Sequence, residues 1–461
     1  MHQTSRPRLE AESPLQIKPF WECPALPPTG GEATLLLQFA APKAADSTRR
    51  APVDVALVLD HSGSMAGEKL ALAKQAVDLA VAQLSDHDRA ALVVYDHTVS
   101  NLHALEPMTP RAKTALRLAL HGVDAGGSTN LSDGWLTGCQ QLATAPAATV
   151  PAGDQTTLRL QRTLLMTDGL ANDGMTDAGE LTTHAHELRK RGIHTTTLGV
   201  GLDFDEVLLS GLAEAGGGNF QFIAEPVQLR AFFARELQEM LTIAAAGVTL
   251  TVTLPAGIEI EVVNSFPSER RQQQITIALG DLPAGDEIDL VLLVRVPAGA
   301  IGTTHQIAVS ASWADPTADS RRHCDLLLPP LVLQNPAQIA TIVPEPLVTE
   351  RAALQRATAE RRTALALDRA GRHAESRASM RRAYGRLQAA PRTADVAHDL
   401  DVSAAYASAS EAPYSEADRK AAAFHNARRG RGKRDSLGEE PSRDRRLLSS
   451  APDPSHQVDS D

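Results

Sequence analysis

Apolar and polar residues alternate in two different ways along this chain, and the change falls near residue 244. Before that point, short runs rich in Val, Ile, Leu and Thr are separated by longer stretches with apolar residues three and four positions apart. The short runs are typical of buried strands, and the longer stretches are typical of amphipathic helices. The strand candidates are residues 53–59, 89–95, 160–167, 193–200 and 219–223.

The helical stretches between these strands have recognisable start signals. Residues 68–84 carry apolar side chains at helical spacing, and Pro110 suits the first turn of another helix. Thr176 or Asp177 can cap a third helix, and residues 226–241 form a last one. Strands that alternate with such helices predict an α/β fold with a doubly wound, mostly parallel sheet.

From residue 244 onward, apolar and polar residues alternate with a period of two, and turns rich in Pro, Ala and Gly separate the runs. This pattern predicts an antiparallel β-sandwich over residues 244–335. Residues 32–39 form a further strand with no helix after it, so we expect the N-terminal segment, residues 1–50, to pair with the sandwich. The α/β domain, residues 51–243, would then be an insertion between sandwich strands.

The last part of the chain loses the strand pattern. Residues 336–390 carry apolar side chains at helical spacing on both sides of Ala370-Gly371, which predicts a C-terminal helical hairpin. Residues 391–461 are polar and rich in Pro, Ser, Asp and Arg, so we expect a mostly disordered tail. The basic run 427–435 could bind an acidic partner, but a solvated tail is the simpler interpretation.

Composition and charge narrow the function classes. The chain of 461 residues has a net charge of −11, which argues against nucleic-acid binding because phosphate contacts need a basic surface. No apolar run reaches the roughly 18 residues that a membrane-spanning helix needs, and the first residues lack the apolar segment of a signal peptide. The three cysteines lie far apart and form neither a zinc motif nor a disulfide pattern. We therefore expect a soluble, cytoplasmic protein with reduced thiols.

Polar residues cluster where segments of the α/β domain end their apolar runs. Asp60, Ser62 and Ser64 follow the first strand candidate, and Asp168 follows the third. Thr129 lies in a glycine-rich loop that leads into a helix. Because ligands bind beyond the carboxyl ends of parallel strands, we expect these three segments to meet at one edge of the sheet.

The chemistry of this cluster favours a hard divalent cation. It offers carboxylate and hydroxyl oxygens, with no histidine or cysteine at matching positions, which suits Mg²⁺, with Mn²⁺ and Ca²⁺ as alternatives. If the hydroxyls contact the metal and the aspartates act through water, the ion keeps much of its positive charge. It would then attract a carboxylate from another molecule strongly. The competing interpretation is that Asp60 and Asp168 only cap turns.

The three segments resemble the elements of the metal-ion-dependent adhesion site of the von Willebrand factor type A family. Residues 60–64, Asp-His-Ser-Gly-Ser, match the Asp-x-Ser-x-Ser element, and the Thr129 loop and Asp168-Gly169 match the other two elements. The resemblance covers about residues 50–243. It is to bacterial members of the family and, more distantly, to inter-α-trypsin inhibitor heavy chains.

This resemblance implies that Ser62, Ser64 and Thr129 ligate Mg²⁺, with Asp60 and Asp168 in supporting, often water-mediated roles. It also implies that an Asp or Glu of a partner protein completes the metal shell. The function implied is a non-catalytic, Mg²⁺-dependent protein–protein interaction module.

Two other functions stay open at this point. Type A domains resemble parts of MoxR and metal-chelatase systems, so the chain could be a companion subunit of an AAA+ ATPase. Alternatively, Asp60 could be the nucleophile of a metal-assisted phosphohydrolase. The sequence argues against a phosphohydrolase. One class of these enzymes has a second carboxylate two residues after the nucleophilic aspartate, where this chain has Ser62, and no lysine is well placed to support a phosphate.

Two further polar pairs deserve comparison with this cluster. His184 and His186 are two residues apart on a predicted helix, so they cannot face one metal ion, and we interpret them as surface residues. Asp203 and Asp205 follow the fourth strand candidate. They could line the rim of the site, but capping the next helix is the more common role of such residues.

Overall fold

The computed structural model describes residues 15–43, 50–144, 149–152, 155–224, 228–316, 320–407 and 413–432. The N-terminal segment contributes the first three strands of the fold. The three strands are β1 (Gln16–Trp21), β2 (Ala25–Leu26) and β3 (Gly31–Ala40). None of the helices in this described part combines the length and the apolar character that crossing a membrane requires.

Strands and helices then alternate as the hydrophobic pattern predicts. In chain order they are β4 (Val53–Asp60), α1 (Glu68–Gln83), β5 (Arg89–Tyr95), β6 (Val99–Pro107), α2 (Pro110–His121), α3 (Leu131–Ala143), β7 (Thr149–Ala152), β8 (Gln155–Leu158), β9 (Leu160–Thr167), α4 (Ala178–Lys190), β10 (Ile193–Val200), α5 (Glu206–Gly216), β11 (Gly217–Ile223) and α6 (Leu229–Leu241). Six of the strands form one sheet in the order β11–β10–β9–β4–β5–β6. All neighbours are parallel except β5 and β6. The predicted α/β fold is confirmed, with an antiparallel edge strand, β6, that the pattern does not reveal.

Strand β4 lies in the middle of this sheet and is buried on both faces. Its residues Val53, Val55, Leu57 and Leu59 pack into one core with α1, α2 and α6. Ala56 and Val58, which point the other way, pack into a second core with α3, α4 and α5. A strand that is buried on both faces has no alternation of polar side chains. Of the two carboxylates in β4, Asp54 pairs with Arg89 and Arg159, whereas Asp60 is the last residue of the strand.

An antiparallel sandwich follows. Its strands are β12 (Ile243–Thr253), β13 (Glu259–Val262), β14 (Ser268–Arg271), β15 (Gln274–Pro283), β16 (Glu287–Val296), β17 (Thr304–His305), β18 (Ala308–Asp315), β19 (Ser320–Leu327) and β20 (Leu331–Leu333). Its two sheets, β1–β3–β16–β13 and β14–β15–β12–β18–β19, enclose one apolar core, and β17–β20–β2 form a small third sheet. Because β3 pairs with β16 along its whole length, the α/β region lies between two sandwich strands in the chain, β3 and β12.

Five helices complete the described chain, and they correct one expectation. They are α7 (Pro336–Ile339), α8 (Pro346–Arg369), α9 (His373–Gln388), α10 (Ala394–Ala407) and α11 (Glu416–Gly430). Helices α8 and α9 form the predicted hairpin, α10 packs on α9, and α11 packs on α8. The expectation of a mostly disordered chain from residue 391 is therefore wrong over α10 and α11. These helices bury polar residues such as Asp399 and Lys420, so their sequence lacks an apolar stripe. Residues 433–461 lie outside the described residues, and the domain boundaries stay predictions.

Candidate metal centre

Three loop segments meet at the edge of the sheet where β4 and β9 end. The backbone N–H of Gly63 donates a hydrogen bond to the carbonyl of Gly127 at 3.1 Å, which ties the segment after β4 to the glycine-rich loop before α3. The N–H of Asn172 donates to the carbonyl of Thr129 at 3.2 Å, which ties the segment after β9 to the same loop. The segments that carry the five predicted site residues are therefore neighbours.

Asp60 is fully buried, and its hydrogen bonds come from neutral groups. Its Oδ1 accepts a hydrogen bond from the Ser62 backbone N–H at 2.8 Å, and its Oδ2 accepts one from the Thr167 hydroxyl at 2.5 Å. Burial raises the pKa of Asp60, and the nearby Asp168 carboxylate adds to the rise, while the hydrogen bonds of Thr167 and Ser62 oppose it. A positive charge brought to this edge would stabilise the ionised form of Asp60.

The second carboxylate, Asp168, accepts a hydrogen bond from one hydroxyl of the cluster. The Ser64 hydroxyl donates to Oδ1 of Asp168 at 2.7 Å, and its oxygen lies 3.2 Å from the hydroxyl oxygen of Ser62. A β-carbon built on Gly169 would lie 3.2 Å from Oγ1 of Thr129 and 3.7 Å from Oγ of Ser64. The wall of this small space is therefore a glycine backbone, and the oxygens of all three segments lie around it.

Lys69 is a residue of this site that the sequence pattern does not reveal. It is the second residue of α1, and its ammonium nitrogen lies 2.5 Å from Oδ2 of Asp168 and 3.7 Å from Oδ2 of Asp203. The expectation that no lysine is well placed here is therefore wrong. One signal could have found it, since α1 starts directly after the Asp60 segment and its first turn must lie near the same edge of the sheet.

The donor set fits a hard divalent cation. Within the described part of the chain, no group of three or more His, Cys, Asp or Glu side chains could hold a metal ion. A metal at this edge would thus depend on hydroxyl oxygens as well as carboxylates, and such oxygen ligands suit Mg²⁺. Ser62, Ser64 and Thr129 would supply the neutral oxygens, and Asp60 and Asp168 would supply the negative charge.

Asp205 and the two histidines lie apart from the cluster, whereas Asp203 is 3.7 Å from the ammonium nitrogen of Lys69. Oδ1 of Asp205 accepts hydrogen bonds from the backbone N–H groups of Val207 and Leu208, at 2.9 and 3.1 Å, so it caps α5 as expected. His184 is exposed and His186 is half-buried on α4. Neither histidine lies in the three segments that form the site.

An open groove of about 410 Å³ lies beside the glycine-rich loop. Its lining includes the polar side chains of His97 and Asn130 and the apolar side chains of Val99 and Leu136. Asn130 follows Thr129 directly in the chain, but none of the five predicted site residues lines the groove.

Residues 54–235 match the family model of the von Willebrand factor type A domain. The chain contains a von Willebrand factor type A domain. The matched range runs from β4 into α6 and includes all five predicted site residues.

Relatives and a solved structure extend this comparison. The uncharacterized protein YfbK of Escherichia coli is 26% identical over 272 residues, and the E3 ubiquitin-protein ligase WAV3 of Arabidopsis thaliana is 25% identical over 279 residues. These alignments cover 57% and 59% of this chain but 45% and 35% of those proteins, so the chain spans less than half the length of either.

The structure of a von Willebrand factor type A protein from Catenulispora acidiphila has a TM-score of 0.67 at 18% identity, with 87% of this chain and 91% of that one covered. The shared fold thus extends well beyond the type A domain.

Proposed function

We propose that this protein is a Mg²⁺-dependent, non-catalytic protein–protein interaction module. In this proposal Ser62, Ser64 and Thr129 ligate the ion, Asp60 and Asp168 support it, and an Asp or Glu of a partner protein completes the shell. Mn²⁺ and Ca²⁺ are the alternative ions. The main support is the cluster of two fully buried carboxylates and three hydroxyls at one edge of the sheet. Type A domains are commonly protein-interaction modules, which agrees with this role.

The electrostatics of the cluster support an external cation. Two carboxylates buried close together destabilise a fold unless positive charge offsets them. Asp60 receives hydrogen bonds from neutral groups, and its pKa is raised by burial and by Asp168. Lys69 already offsets the charge of Asp168, so a divalent ion would offset the charge of Asp60 and, on its open side, attract a carboxylate from outside.

The geometry argues against the phosphohydrolase alternative. A nucleophilic carboxylate must reach the phosphorus atom, yet Asp60 is fully buried and both of its oxygens accept hydrogen bonds. Lys69 could contact a phosphate, but its ammonium is paired with Asp168. The enzymatic name of WAV3 describes a protein of which this chain matches only a part.

Ser64→Ala tests the metal assignment with the least disturbance to the fold, because Ser64 is exposed whereas Thr129 and Asp168 are buried. We expect wild-type protein to bind Mg²⁺ in a calorimetric titration and Ser64→Ala to bind it at least roughly 10- to 100-fold more weakly, since the loss of a mere outer-shell partner already costs that much at a metal site. Without metal, the variant should lose no more stability than one hydrogen bond to a carboxylate contributes, about 1–3 kcal/mol. Ser100→Ala, at an exposed serine on β6, is the matched control and should bind Mg²⁺ like the wild type. Equal affinities in all three proteins would reject the assignment.

The partner can be sought by affinity capture from the native cell with Mg²⁺ and with EDTA. We expect a protein that is retained with Mg²⁺ and lost both with EDTA and with the Ser64→Ala bait. Recovery of an AAA+ ATPase under these conditions would specify the role as a companion subunit. A partner that is retained equally in EDTA would contradict metal-dependent binding.

A further inference from the structure

Lys69 places a positive charge against one of the two carboxylates of the proposed metal centre. Its ammonium nitrogen lies 2.5 Å from Oδ2 of Asp168, while Oδ1 of the same carboxylate accepts the hydrogen bond of Ser64. Asp168 is fully buried, whereas the Lys69 side chain keeps 25% of its surface exposed. Lys69 therefore lies at the rim of the site, between the buried carboxylate and solvent.

The surroundings of Lys69 leave a defined space for its ammonium group. Gly201, at the end of β10, has a φ of +77°, and a β-carbon there would lie 3.4 Å from both Cε and Nζ of Lys69. Asp203 lies beyond it, 3.7 Å from Nζ, with 72% of its side chain exposed. The ammonium group is thus held between the loops that follow β9 and β10.

We propose that Lys69 sets the net charge of the metal centre and thereby its preference for a carboxylate partner, an inference that rests on the proposed function. Because Lys69 neutralises Asp168, only the charge of Asp60 remains to oppose the double charge of Mg²⁺. The centre then keeps a net positive charge, which attracts an acidic side chain. Without Lys69, the two aspartates would balance the charge of the ion.

This role has a signature that a purely structural role lacks. The ammonium group repels the metal ion and attracts the partner's carboxylate, so its removal should strengthen metal binding and weaken carboxylate binding. If Lys69 only held Asp168 in place, its removal would weaken both kinds of binding. The two affinities together therefore separate the charge effect from the positioning effect.

The experiment uses the full chain with Mn²⁺ as the metal and acetate as the carboxylate. Water-proton relaxation reports Mn²⁺ binding, and it also reports the loss of a metal-bound water when acetate binds. In Lys69→Met we expect Mn²⁺ to bind roughly three- to tenfold more tightly and acetate to bind roughly three- to tenfold more weakly. Lys69→Arg keeps the charge and should resemble the wild type. Lys74→Met is the matched control, because Lys74 lies on the same helix and contacts the carbonyl of Val123.

The outcomes separate this inference from the proposed function. Weaker binding of both Mn²⁺ and acetate in Lys69→Met, or unchanged binding of both, would overturn the charge assignment while the wild-type metal site stands. A wild-type protein that binds no Mn²⁺ would overturn the proposed function and this inference with it. If Lys69→Met does not fold, Lys69→Gln carries the same expectation, because it also removes the charge.

Discussion

Two fully buried aspartates in different regions of the molecule have opposite surroundings. Asp60, in the type A domain, receives hydrogen bonds from neutral groups, and burial raises its pKa. Asp399, in the C-terminal helices, would also have its pKa raised by burial. The positive charges of Arg361, His425 and Arg429 outweigh that effect and hold the pKa of Asp399 well below its usual value.

The difference lies in where the compensating charge comes from. Nη2 of Arg361 lies 2.8 Å from Oδ2 of Asp399, and Nη2 of Arg429 lies 3.0 Å from its Oδ1. The chain thus supplies the counter-charges of Asp399 and uses them to join α8, α10 and α11. At Asp60 the contacts are hydroxyl and amide groups, which leaves the charge available to a cation from outside. A buried carboxylate of the first kind serves the fold, and one of the second kind suits a binding site.

Removal of Asp399 should give the largest loss of stability. Asp399→Ala leaves the buried charge of Arg361 and the charge of Arg429 without this partner, and breaking a buried ion pair in this way costs about 3–5 kcal/mol. Urea unfolding followed by circular dichroism measures the change in the free energy of unfolding. Arg381→Ala, at an exposed position on the neighbouring helix α9, is the control and should change it by less than about 0.5 kcal/mol. Equal losses in both variants would show that the Asp399 ion pairs do not stabilise the helices.

Replacement of Asp60 should act on metal binding rather than on the fold. At a Mg²⁺ concentration of about 100 times Kd, the wild type should gain about 2.7 kcal/mol of stability, and Asp60→Asn should lose this gain. In EDTA the variant should be at least as stable as the wild type, because a raised pKa means that the ionised carboxylate destabilises the folded state. Urea unfolding with Mg²⁺ and with EDTA tests both points. If Asp60→Asn lost much stability in EDTA, Asp60 would stabilise the fold as Asp399 does, and the contrast between the two aspartates would be wrong.

The sequence pattern predicts the fold best where elements are buried on both faces. Strands β5, β9 and β10 have the predicted bounds, because nearly all of their side chains are buried and Leu, Val, Ile and Thr predominate in them. Strand β6 escapes prediction because it lies at the sheet edge and most of its side chains are at least partly exposed. Helix α11 escapes because it buries Lys420 and Asn426, whose partners lie elsewhere in the chain.

The sequence pattern predicts the residues of the candidate site unequally. Asp60 and Asp168 could be found because each directly follows a predicted strand, and such strand ends lie at one edge of a parallel sheet. Lys69 could not be found in this way, because its long side chain reaches the site from the first turn of a helix. The one signal in the sequence is its place in the first turn after the Asp60 segment, and the contact with Asp168 is what assigns it to the site.

Acid should shift the stability of the two regions in opposite directions. The lowered pKa of Asp399 stabilises the fold above the unfolded-state value of about 3.9, and this contribution is lost as the pH falls toward the folded-state pKa. The raised pKa of Asp60 destabilises the metal-free fold above that pKa, and the penalty is relieved as the pH falls through it.

In EDTA, as the pH falls, the wild type should therefore lose stability relative to Asp399→Ala and gain stability relative to Asp60→Asn, by at most about 1.4 kcal/mol for each pH unit. Urea unfolding of the three proteins between about pH 3 and pH 7 measures both differences. If the two differences change in the same direction, the two aspartates do not differ in their source of counter-charge, and the case for an external cation at Asp60 loses its electrostatic support.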